Sequence, residues 1–521
     1  MDARGRARAQ AGASPSSIAG GLWRRETVAK HRSYSFASPK LTRGDRKRVT
    51  KTDDGVQRSL CSRVGLRGLA LAAAVAVAVA APATAQTFVA GSPGLGDPYF
   101  PLAGNGGYDV THYSLDLDYQ RAGNQLDGTA VIVARATENL SRFDLDLRGF
   151  EISRLTVNGL PARFTREGQE VIVTPRPGLR AGRPFVVRID YAGQPAEVVD
   201  ADGSREGWVQ TADGAFVVNE PQGSPGWYPA NDNPRDKATY EFAITVPQGI
   251  TAIGNGRLIS NRTHGGRTTW RWLEDSPMAS YLATATNGVF ELRTSRAGRL
   301  PLYHAVDPVE VPNGAFDRLE AEATIIDFFS TLYGPYPFSS GGGVVDHAPE
   351  VGYALESQSK SQYDETPNAS TVVHEISHQW FGNAVTLTLW PDIWLNEGFA
   401  TFSEWIYDER HDGPTAQQAF DGLYARDASD PFWTRPPANL GGPEFLFATP
   451  PYDRGAMTLQ ALRGKIGDVT FFALLRAWYA RNRNGNVTTA DFVALAEETS
   501  GRQLDGFFDV WLYQPAKPTS W

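Results

Sequence analysis

The hydrophobic pattern of the sequence changes near residue 295. Before that point apolar residues alternate with polar ones, as in HYSLDLDY, where Tyr113, Leu115, Leu117 and Tyr119 share one face. The stretches FDLDL and VVRIDY repeat the same period of two. This period is typical of antiparallel strands that have one buried and one solvated face. We therefore predict a large antiparallel β domain over residues 105–295.

Beyond residue 295 the apolar residues follow helical spacing. The stretch FDRLEAEATIIDFFSTLYG places apolar side chains three or four positions apart and ends before Pro335. AMTLQALRGKIG and VTFFALLRAWYARN are also typical of helices, and TTADFVALAEETSG opens with Thr488 and Asp491 at capping-box spacing. The predicted fold class is α+β, with the β domain followed by a mostly helical domain over residues 296–521.

The charge of the chain is unevenly distributed. Residues 1–85 hold 16 of the 50 Lys and Arg residues and 5 of the 58 Asp and Glu residues. The remainder therefore carries 34 basic and 53 acidic residues. A body this acidic repels phosphate backbones and anionic lipid, so we expect no nucleic-acid partner.

The basic front of the chain leads into a pattern typical of a secretory signal peptide. Arg63 and Arg67 precede the apolar run LALAAAVAVAVAA, and ATA at residues 83–85 is a small-residue cleavage site. The run is too short for a membrane-spanning helix, although a retained membrane anchor stays open as an alternative. We therefore predict a signal peptide at about residues 62–85 and no membrane span in the mature form. The protein is expected to be exported, to a periplasm or out of the cell.

Two further segments follow from this cleavage site. Residues 1–85 form the leader that contains the signal peptide, and the Pro- and Gly-rich residues 86–104 are predicted to be a linker. The only cysteine, Cys61, lies within the leader. The mature chain therefore has no cysteine for a disulfide, a nucleophile or a thiolate metal site.

The stretch VVHEISHQWFGN places two histidines four residues apart, with a glutamate directly after the first. On a helix, His374 and His378 leave the same face about one turn apart, which suits two corners of a tetrahedral zinc site. Glu397 in WLNEGFA follows after 18 intervening residues, enough for a second helix to return beside the first. We predict that these three residues bind one zinc ion (Zn2+) and that Glu375 is the general base for a zinc-activated water. The alternative interpretation is an amphipathic helix that binds no metal.

Two residues near Glu397 are candidates for orienting the metal ligands. Asp392 and Asn396 carry polar side chains just before the third ligand in the chain. Such residues commonly fix the orientation of a ligand by a hydrogen bond. Either side chain could equally cap a helix.

These residues resemble the zinc aminopeptidases of the aminopeptidase N family, which belong to the gluzincin metallopeptidases. The resemblance rests on HEISHQWFGN and WPDIWLNEGFA, and on YGPYPF, PEVGYALES, YDRGAMTLQALR and NEPQGSPGWYPANDNPRDKATY in the family's order. It extends from about Gly107 to the C-terminus. It implies a saddle-shaped β domain, a thermolysin-like catalytic domain, and zinc-dependent hydrolysis of N-terminal residues from peptides.

The resemblance also implies how the substrate is held. Glu356 in GYALES matches the glutamate of the family's Gly-x-Met-Glu-Asn motif, and Glu220 in NEP matches an acidic residue of the β domain. Together they would pair with the α-ammonium of a peptide that has a free N-terminus. The sequence departs from the family at Leu355, Ser357 and Val218, which replace Met, Asn and a frequent Gln. The preferred side chain of the substrate is therefore not carried over.

Tyr452 is the other catalytic candidate. It opens a block that resembles the family's Tyr-x-Lys-Gly, with Arg454 in the place of the lysine. Its phenol would stabilise the oxyanion of the tetrahedral intermediate. Since only 521 − 452 = 69 residues follow it, we expect a short two-domain form with a more open cleft than relatives that carry a further C-terminal helical domain.

Two alternatives to an aminopeptidase stay open. A thermolysin-like endopeptidase would use the same zinc ligands without the ammonium-binding glutamates. A protein that keeps the fold without catalysis is less consistent with the presence of every predicted catalytic residue.

Overall fold

The computed structural model describes residues 87–521 of the chain. The predicted leader, its signal peptide and Cys61 lie outside the described residues. The strands of the first half are β1 (Val89–Ala90), β2 (Tyr108–Gln120), β3 (Gln125–Ala136), β4 (Leu140–Asp146), β5 (Glu151–Val157), β6 (Leu160–Pro161), β7 (Arg163–Glu167), β8 (Glu170–Thr174), β9 (Pro184–Gly193), β10 (Glu197–Val199), β11 (Arg205–Gln210), β12 (Ala215–Val218), β13 (Lys237–Pro247), β14 (Thr251–Ala252), β15 (Arg257–His264), β16 (Arg267–Ala279) and β17 (Asn287–Gly288).

These strands form three sheets of the β domain. The largest has eight strands in the order β15-β16-β13-β2-β3-β9-β5-β6, and the others have the orders β1-β4-β8-β7 and β10-β11-β12-β17-β14. In β2 the alternate residues Tyr113, Leu115, Leu117 and Tyr119 are buried, as the period of two predicts. The sheets are antiparallel except that β13 pairs with β2, and β1 with β4, in parallel.

The second half combines helices with a small sheet. Its helices are α1 (Ala315–Glu320), α2 (Glu322–Leu332), α3 (Ala369–Ser377), α4 (Trp394–Arg410), α5 (Ala416–Tyr424), α6 (Gly455–Ile466), α7 (Asp468–Asn482), α8 (Thr489–Ser500) and α9 (Asp505–Phe508). Its strands are β18 (Glu291–Ala297), β19 (Leu300–Val306), β20 (Gly343–Val345), β21 (Ala354–Leu355), β22 (Ser361–Tyr363), β23 (Val385–Leu387) and β24 (Gly485–Val487). Strands β18 to β22 form one sheet, in the order β18-β19-β20-β22-β21, and β23 pairs with β24.

A local sequence signal explains where helix α8 begins. The side chain of Thr488 accepts the N–H of Asp491, and Asp491 accepts the N–H of Thr488, so the capping box predicted for α8 is present. The predicted helix over residues 316–334 is divided into α1 and α2 at Ala321.

Among residues 87–521, no helix has both the length and the apolar character that crossing a membrane requires.

One predicted domain boundary differs from the structure. Residue 295 lies inside β18, which pairs with β19 in the sheet of the catalytic domain, so the β domain ends near residue 290. The predicted linker forms hydrogen bonds with both domains, because β1 pairs with β4 and Asp97 accepts the backbone N–H of Trp390 at 2.7 Å. Pro and Gly mark turns in this segment, but hydrogen bonds to both domains fix those turns.

The β domain and the catalytic domain meet at a small apolar cluster. The β11–β12 hairpin contributes side chains from one domain, and the segment before and within β21 contributes side chains from the other. The cluster consists of Val209, Phe216, Val218, Ala348, Val351 and Leu355. Leu355 and Val218, two of the departures from the family pattern, are therefore packing residues between the domains.

Candidate metal centre and active site

Helix α3 presents the two histidines to a cleft. Its first turn is capped by Asn368, whose side chain accepts the N–H of Thr371 at 3.0 Å. One face of the helix is buried in the core of the catalytic domain. His378 lies just past the end of α3, and its backbone N–H still donates to the carbonyl of His374 at 3.2 Å. The two imidazoles therefore keep the expected spacing, with ring centroids 4.7 Å apart.

Helix α4 brings the third ligand to this pair. Glu397 Oε2 lies 3.2 Å from His374 Nε2 and 3.4 Å from His378 Nε2. The three donor atoms lie within 4.8 Å of one another. Two imidazoles and one carboxylate are a donor set that zinc prefers in catalytic sites. The residues present therefore fit a zinc ion.

A hydrogen bond at the Nδ1 atom orients each imidazole. His378 Nδ1 donates to the carbonyl of Phe381 at 3.1 Å, so Nδ1 keeps its proton when the ring is neutral and Nε2 is the nitrogen available to a metal. His374 Nδ1 lies 2.6 Å from Glu404 Oε1. Both imidazoles are thus oriented with Nε2 toward Glu397.

Glu404 replaces the orienting residues that we predicted. Asp392 accepts a hydrogen bond from the hydroxyl of Thr489 at 2.6 Å, and Asn396 Nδ2 donates to the hydroxyl of Tyr281 at 3.4 Å, so neither holds a histidine. Glu404 lies seven residues after Glu397, which is two turns along the same face of α4. That spacing is a signal that sequence reasoning missed.

Electrostatics in the metal site follow from the close contact of acids and imidazoles. Although burial opposes ionisation of Glu397, His378 and His374 outweigh it and lower the pKa of this carboxyl to about 2. Burial likewise lowers the pKa of His378, but Glu356 and Glu397 outweigh that effect and raise it to about 9. A divalent cation competes with the imidazole proton, so metal binding here releases protons.

Glu375 lies between the metal ligands and a further acid. It is 5% exposed, and one of its carboxylate oxygens lies within 4.8 Å of donor atoms of Glu356 and His378. Burial is the main cause that raises the pKa of Glu375 to about 8, against the opposing charges of His374 and His378. A carboxylate with a raised pKa is well suited to accept a proton.

Glu220 and Glu356 face the same space from two domains. Glu220 follows β12 of the β domain and is 6% exposed, whereas Glu356 follows β21 and is 3% exposed. Oxygens of Glu220, Glu356 and Glu397 lie within 4.8 Å of one another. The Oε1 atom of Glu220 and that of Glu356 find no hydrogen-bond partner in the described part of the chain. Burial is the largest cause that raises the pKa of both carboxyls. For Glu220, the charge of Glu356 is the next largest cause.

The backbone of Glu356 is tied to the segment that follows the histidines. Its carbonyl accepts hydrogen bonds from Asn383 Nδ2 at 2.7 Å and from Gln379 Nε2 at 3.1 Å. Both donors belong to the HEISHQWFGN stretch. Sequence reasoning did not assign them a role, and both link the backbone of Glu356 to the segment that carries the predicted metal ligands His374 and His378.

Tyr452 lies beside His374, with ring centroids 6.0 Å apart and an interplanar angle of 21°. It occupies the π-helical turn Pro450–Arg454 before α6. Burial and nearby carboxylates raise the pKa of the Tyr452 hydroxyl well above its usual range, so it remains a hydrogen-bond donor. Arg454 is buried and donates to the carbonyls of Trp433 at 3.0 Å and Gln514 at 2.7 Å, which holds this turn in place.

Two glycines set how closely this turn approaches α4. A Cβ added to Gly398 would lie 2.8 Å from the Cα of Gly455, closer than real side chains allow. Gly398 directly follows Glu397, and Gly455 begins α6 just after Tyr452. Backbone contact between the two helices therefore fixes Tyr452 relative to the metal ligands.

All the site residues predicted from the sequence line one cleft of about 720 Å³. They are Glu220, Glu356, His374, Glu375, His378, Glu397 and Tyr452. Other parts of the wall come from both domains and include Asp202, Ser204, Trp405, Phe447 and Asp453. The structure brings the predicted residues together, and their individual roles stay predictions.

A β domain, a helical domain and a His-Glu-x-x-His helix followed by a glutamate define a protein of the metallopeptidase class. Comparison with protein families agrees with this class. Residues 110–282 match the peptidase M1 N-terminal domain, and residues 349–511 match the peptidase family M1 domain. The chain belongs to peptidase family M1. The family resemblance and the α+β fold class inferred from the sequence are thereby confirmed.

Solved structures similar to this chain include the crystal structure of an M1 zinc metallopeptidase from Deinococcus radiodurans. It is 30% identical with a TM-score of 0.73, and the match covers 82% of this chain and 100% of that chain. A mutant of the Deinococcus radiodurans enzyme bound to a Tyr-Ser-Ala substrate is 29% identical with a TM-score of 0.72, and the match covers 80% and 97% of the two chains.

Curated relatives are longer proteins. Aminopeptidase M1-D of Oryza sativa subsp. japonica is 28% identical over 319 residues, which are 56% of this chain and 36% of the relative. Probable aminopeptidase 1 of Sulfurisphaera tokodaii is 23% identical over 447 residues, which are 79% of this chain and 53% of the relative. The chain thus spans roughly a third to a half of the length of these relatives.

Proposed function

We propose that the protein is a zinc-dependent aminopeptidase that releases residues one at a time from the N-terminus of peptides. The observation that carries this proposal is the pair of buried glutamates, Glu220 and Glu356, beside the donor set of His374, His378 and Glu397. An enclosed ammonium requires negative charge close by, and two carboxylates with unpaired oxygens supply it. The aminopeptidase names of relatives, and the peptide bound to a similar structure, support the same proposal.

The zinc ion would be held by Nε2 of His374, Nε2 of His378 and the carboxylate of Glu397. When bound there, zinc supplies the Lewis acidity that polarises a peptide carbonyl and lowers the pKa of a water molecule. The hydrogen bonds from His374 to Glu404 and from His378 to Phe381 hold both imidazoles ready for this ion.

Glu375 and Tyr452 would carry the proton transfer and the charge stabilisation. The carboxylate of Glu375 takes a proton from the water that attacks the first peptide carbonyl, and then gives it to the leaving amine nitrogen. The hydroxyl of Tyr452 donates a hydrogen bond to the oxygen on which negative charge develops, a contribution of about 3 kcal/mol in comparable sites. Glu220 and Glu356 hold the α-ammonium, so the reacting carbonyl is the first one in the peptide.

Hydrolysis of an aminoacyl anilide and of its N-acetylated form tests this proposal. We expect rapid hydrolysis of the free-amine substrate, little hydrolysis of the acetylated one, and loss of both activities in a chelator. Equal or faster hydrolysis of the acetylated substrate would favour a thermolysin-like endopeptidase instead. No hydrolysis of either substrate, or of longer peptides, by zinc-loaded protein would favour a fold without catalysis.

We also propose that the protein is exported. Support comes from the basic residues, the apolar run and the ATA triplet at residues 62–85 of the sequence. Cell fractionation and N-terminal sequencing of the purified protein test this, with Gln86 as the expected first residue. Recovery of the intact chain in the cytoplasm would contradict it.

A further inference from the structure

Three aspartates form a second acidic cluster in the described part of the chain. Asp213, Asp307 and Asp346 each offer a carboxylate oxygen, and these oxygens lie within 4.8 Å of one another. They are not among the residues that line the catalytic cleft. Nothing in the proposed aminopeptidase reaction uses them.

Strand pairing brings two of these aspartates together. Strands β19 and β20 are parallel, and Val306 pairs with Val345 at their ends. Asp307 and Asp346 are the next residues on each strand, and the N–H of Asp307 donates to the carbonyl of Val345 at 2.8 Å. Their side chains therefore start from neighbouring positions at one edge of the sheet.

The third aspartate comes from the other domain. Asp213 lies in the turn between β11 and β12, and its Oδ2 accepts the N–H of Val289 at 2.7 Å. The same hairpin packs against the catalytic domain through the apolar cluster between the domains, with Val209 and Phe216 on one side and Ala348 on the other. The acidic cluster is therefore an interdomain contact between carboxylates, which is repulsive by itself.

Asp346 has an oxygen that no protein group satisfies. The residue is 1% exposed, and its Oδ1 accepts the N–H of His347 at 2.8 Å. Its Oδ2 is buried and has no hydrogen-bond partner within residues 87–521. Burial is the largest cause that raises the pKa of Asp346 to about 8. The hydrogen bond from His347 opposes this rise, and the charges of Asp213 and Asp307 add to it.

Burial raises the pKa of Asp307 and the charge of His347 opposes this, but His347 forms its ion pair with Glu310 and not with the three aspartates. No ion pair formed within the region from residue 87 to the C-terminus includes any of the three aspartates. The nearby imidazole of His347 is directed to Glu310, with 2.8 Å between Nδ1 and Oε1. Asp346 thus combines a buried carboxylate oxygen that has no partner within residues 87–521 with two carboxylates close by, and a bound cation satisfies such an arrangement.

We propose that Asp213, Asp307 and Asp346 bind a calcium ion between the β domain and the catalytic domain. The donors are oxygens only, which selects a hard cation over the transition metals that prefer imidazole. Calcium accepts irregular oxygen geometry at about 2.4 Å and completes its shell with water, and Asp213 is the one of the three aspartates that is not fully buried. Magnesium demands octahedral geometry and keeps most of its waters.

The calcium ion would brace the segment that leads to the catalytic cleft. The chain runs from Asp346 through Val351 and Leu355, which pack against the β11–β12 hairpin, to Glu356. A cation that ties Asp346 to Asp213 holds this segment against the β domain. The expected effect is therefore on stability rather than on the chemical step.

Thermal unfolding tests the proposal on full-length, zinc-loaded protein that has been freed of other metals on a chelating resin. Calcium chloride at about 100 times its dissociation constant is expected to raise the melting temperature by about 3 °C. Asp346→Asn should abolish the shift while keeping the acceptor for the N–H of His347. Without calcium this variant should unfold at the same or a higher temperature than the wild type, since the amide removes repulsion.

Further variants keep the test decisive. Asp307→Asn keeps the Oδ1 acceptor for the N–H of Val309 and should lose the calcium-induced shift in melting temperature. This variant replaces the first if Asp346→Asn does not fold. Asp127→Asn, the same change at an exposed site on β3, should retain the shift. A wild-type melting temperature that calcium leaves unchanged, or a full shift in both cluster variants, overturns the proposal. An equal or larger shift with magnesium overturns the choice of calcium.

Discussion

The two halves of the cleft, which take their names from their proposed roles, are assembled in different ways. The metal half consists of the two histidines, Glu375 and Glu397. Its side chains come from α3, from the residue directly after α3, and from α4, and a hydrogen bond at Nδ1 orients each imidazole. In the ammonium half, Glu220 comes from the β domain and Glu356 from the catalytic domain, and each has an unsatisfied oxygen as far as residues 87–521 show. The metal half is therefore built locally, whereas the ammonium half depends on how the domains meet. Damage to the first should affect every substrate, and damage to the second only substrates with a free N-terminus.

The largest expected effect comes from the metal half. Glu375→Gln should lower kcat/KM by about 10³-fold, because an amide cannot accept the proton from water. Zinc content should stay at one ion per chain, since Glu375 is not among the three predicted ligands. Steady-state kinetics and metal analysis of the same sample check this. A variant with more than a tenth of wild-type activity would remove Glu375 from the reaction.

Tyr452→Phe should have the next largest effect. We expect kcat to fall by about 100-fold with little change in KM, because the hydroxyl acts on charge that develops in the transition state. Tyr407→Phe is the matched control, since Tyr407 does not line the cleft and should tolerate the change. Equal activities of the two variants would show that the Tyr452 ring only packs.

Glu356→Gln tests the ammonium half. The kcat/KM for a free-amine substrate should fall by about 30-fold or more, because one of two charges facing the ammonium is lost. Any residual hydrolysis of the acetylated substrate should be unchanged. The ratio of the rate for the free-amine substrate to the rate for the acetylated substrate should therefore fall. Glu350→Gln neutralises an exposed acid six residues earlier and should leave the ratio of the two rates unaltered. An equal loss for both substrates would place Glu356 in the metal half instead.

The smallest of these effects is expected at Glu404. Glu404→Gln weakens the hydrogen bond that orients His374, and zinc affinity should fall by about 10-fold. Competition with a chromogenic chelator measures this affinity. The control is Asp408→Asn, also on α4, where the side chain is exposed and is not a hydrogen-bond partner of His374 or His378. Unchanged zinc affinity in Glu404→Gln would show that packing alone orients His374.

The metal half could be predicted from the sequence because its information is local. The spacing of His374 and His378 holds wherever the chain is helical, and the distance to Glu397 allows one helical return. The same reasoning failed for Asp392 and Asn396, which bond to Thr489 and Tyr281 instead. Their nearness to Glu397 in sequence did not specify which way they face on α4.

The ammonium half and the aspartate cluster could not be derived from spacing. Glu220 and Glu356 were found through the family resemblance, since nothing local shows that residues of two domains meet. The aspartates lie at a turn and at the ends of two strands, so only strand register and hairpin packing bring them together. The boundary at residue 295 was wrong for a related reason, because β18 spans that position and pairs in another sheet, and the sheet to which a strand belongs cannot be read from the strand alone.

The most direct test of the two-half cleft measures binding without turnover. Zinc-loaded Glu375→Gln protein is titrated with a dipeptide amide and with its N-acetylated form in a calorimeter. We predict that the free amine binds about 100-fold more tightly, and that adding Glu356→Gln removes most of this difference. Equal affinities for the free and the acetylated peptide would contradict a cleft in which Glu220 and Glu356 hold the ammonium beside the metal.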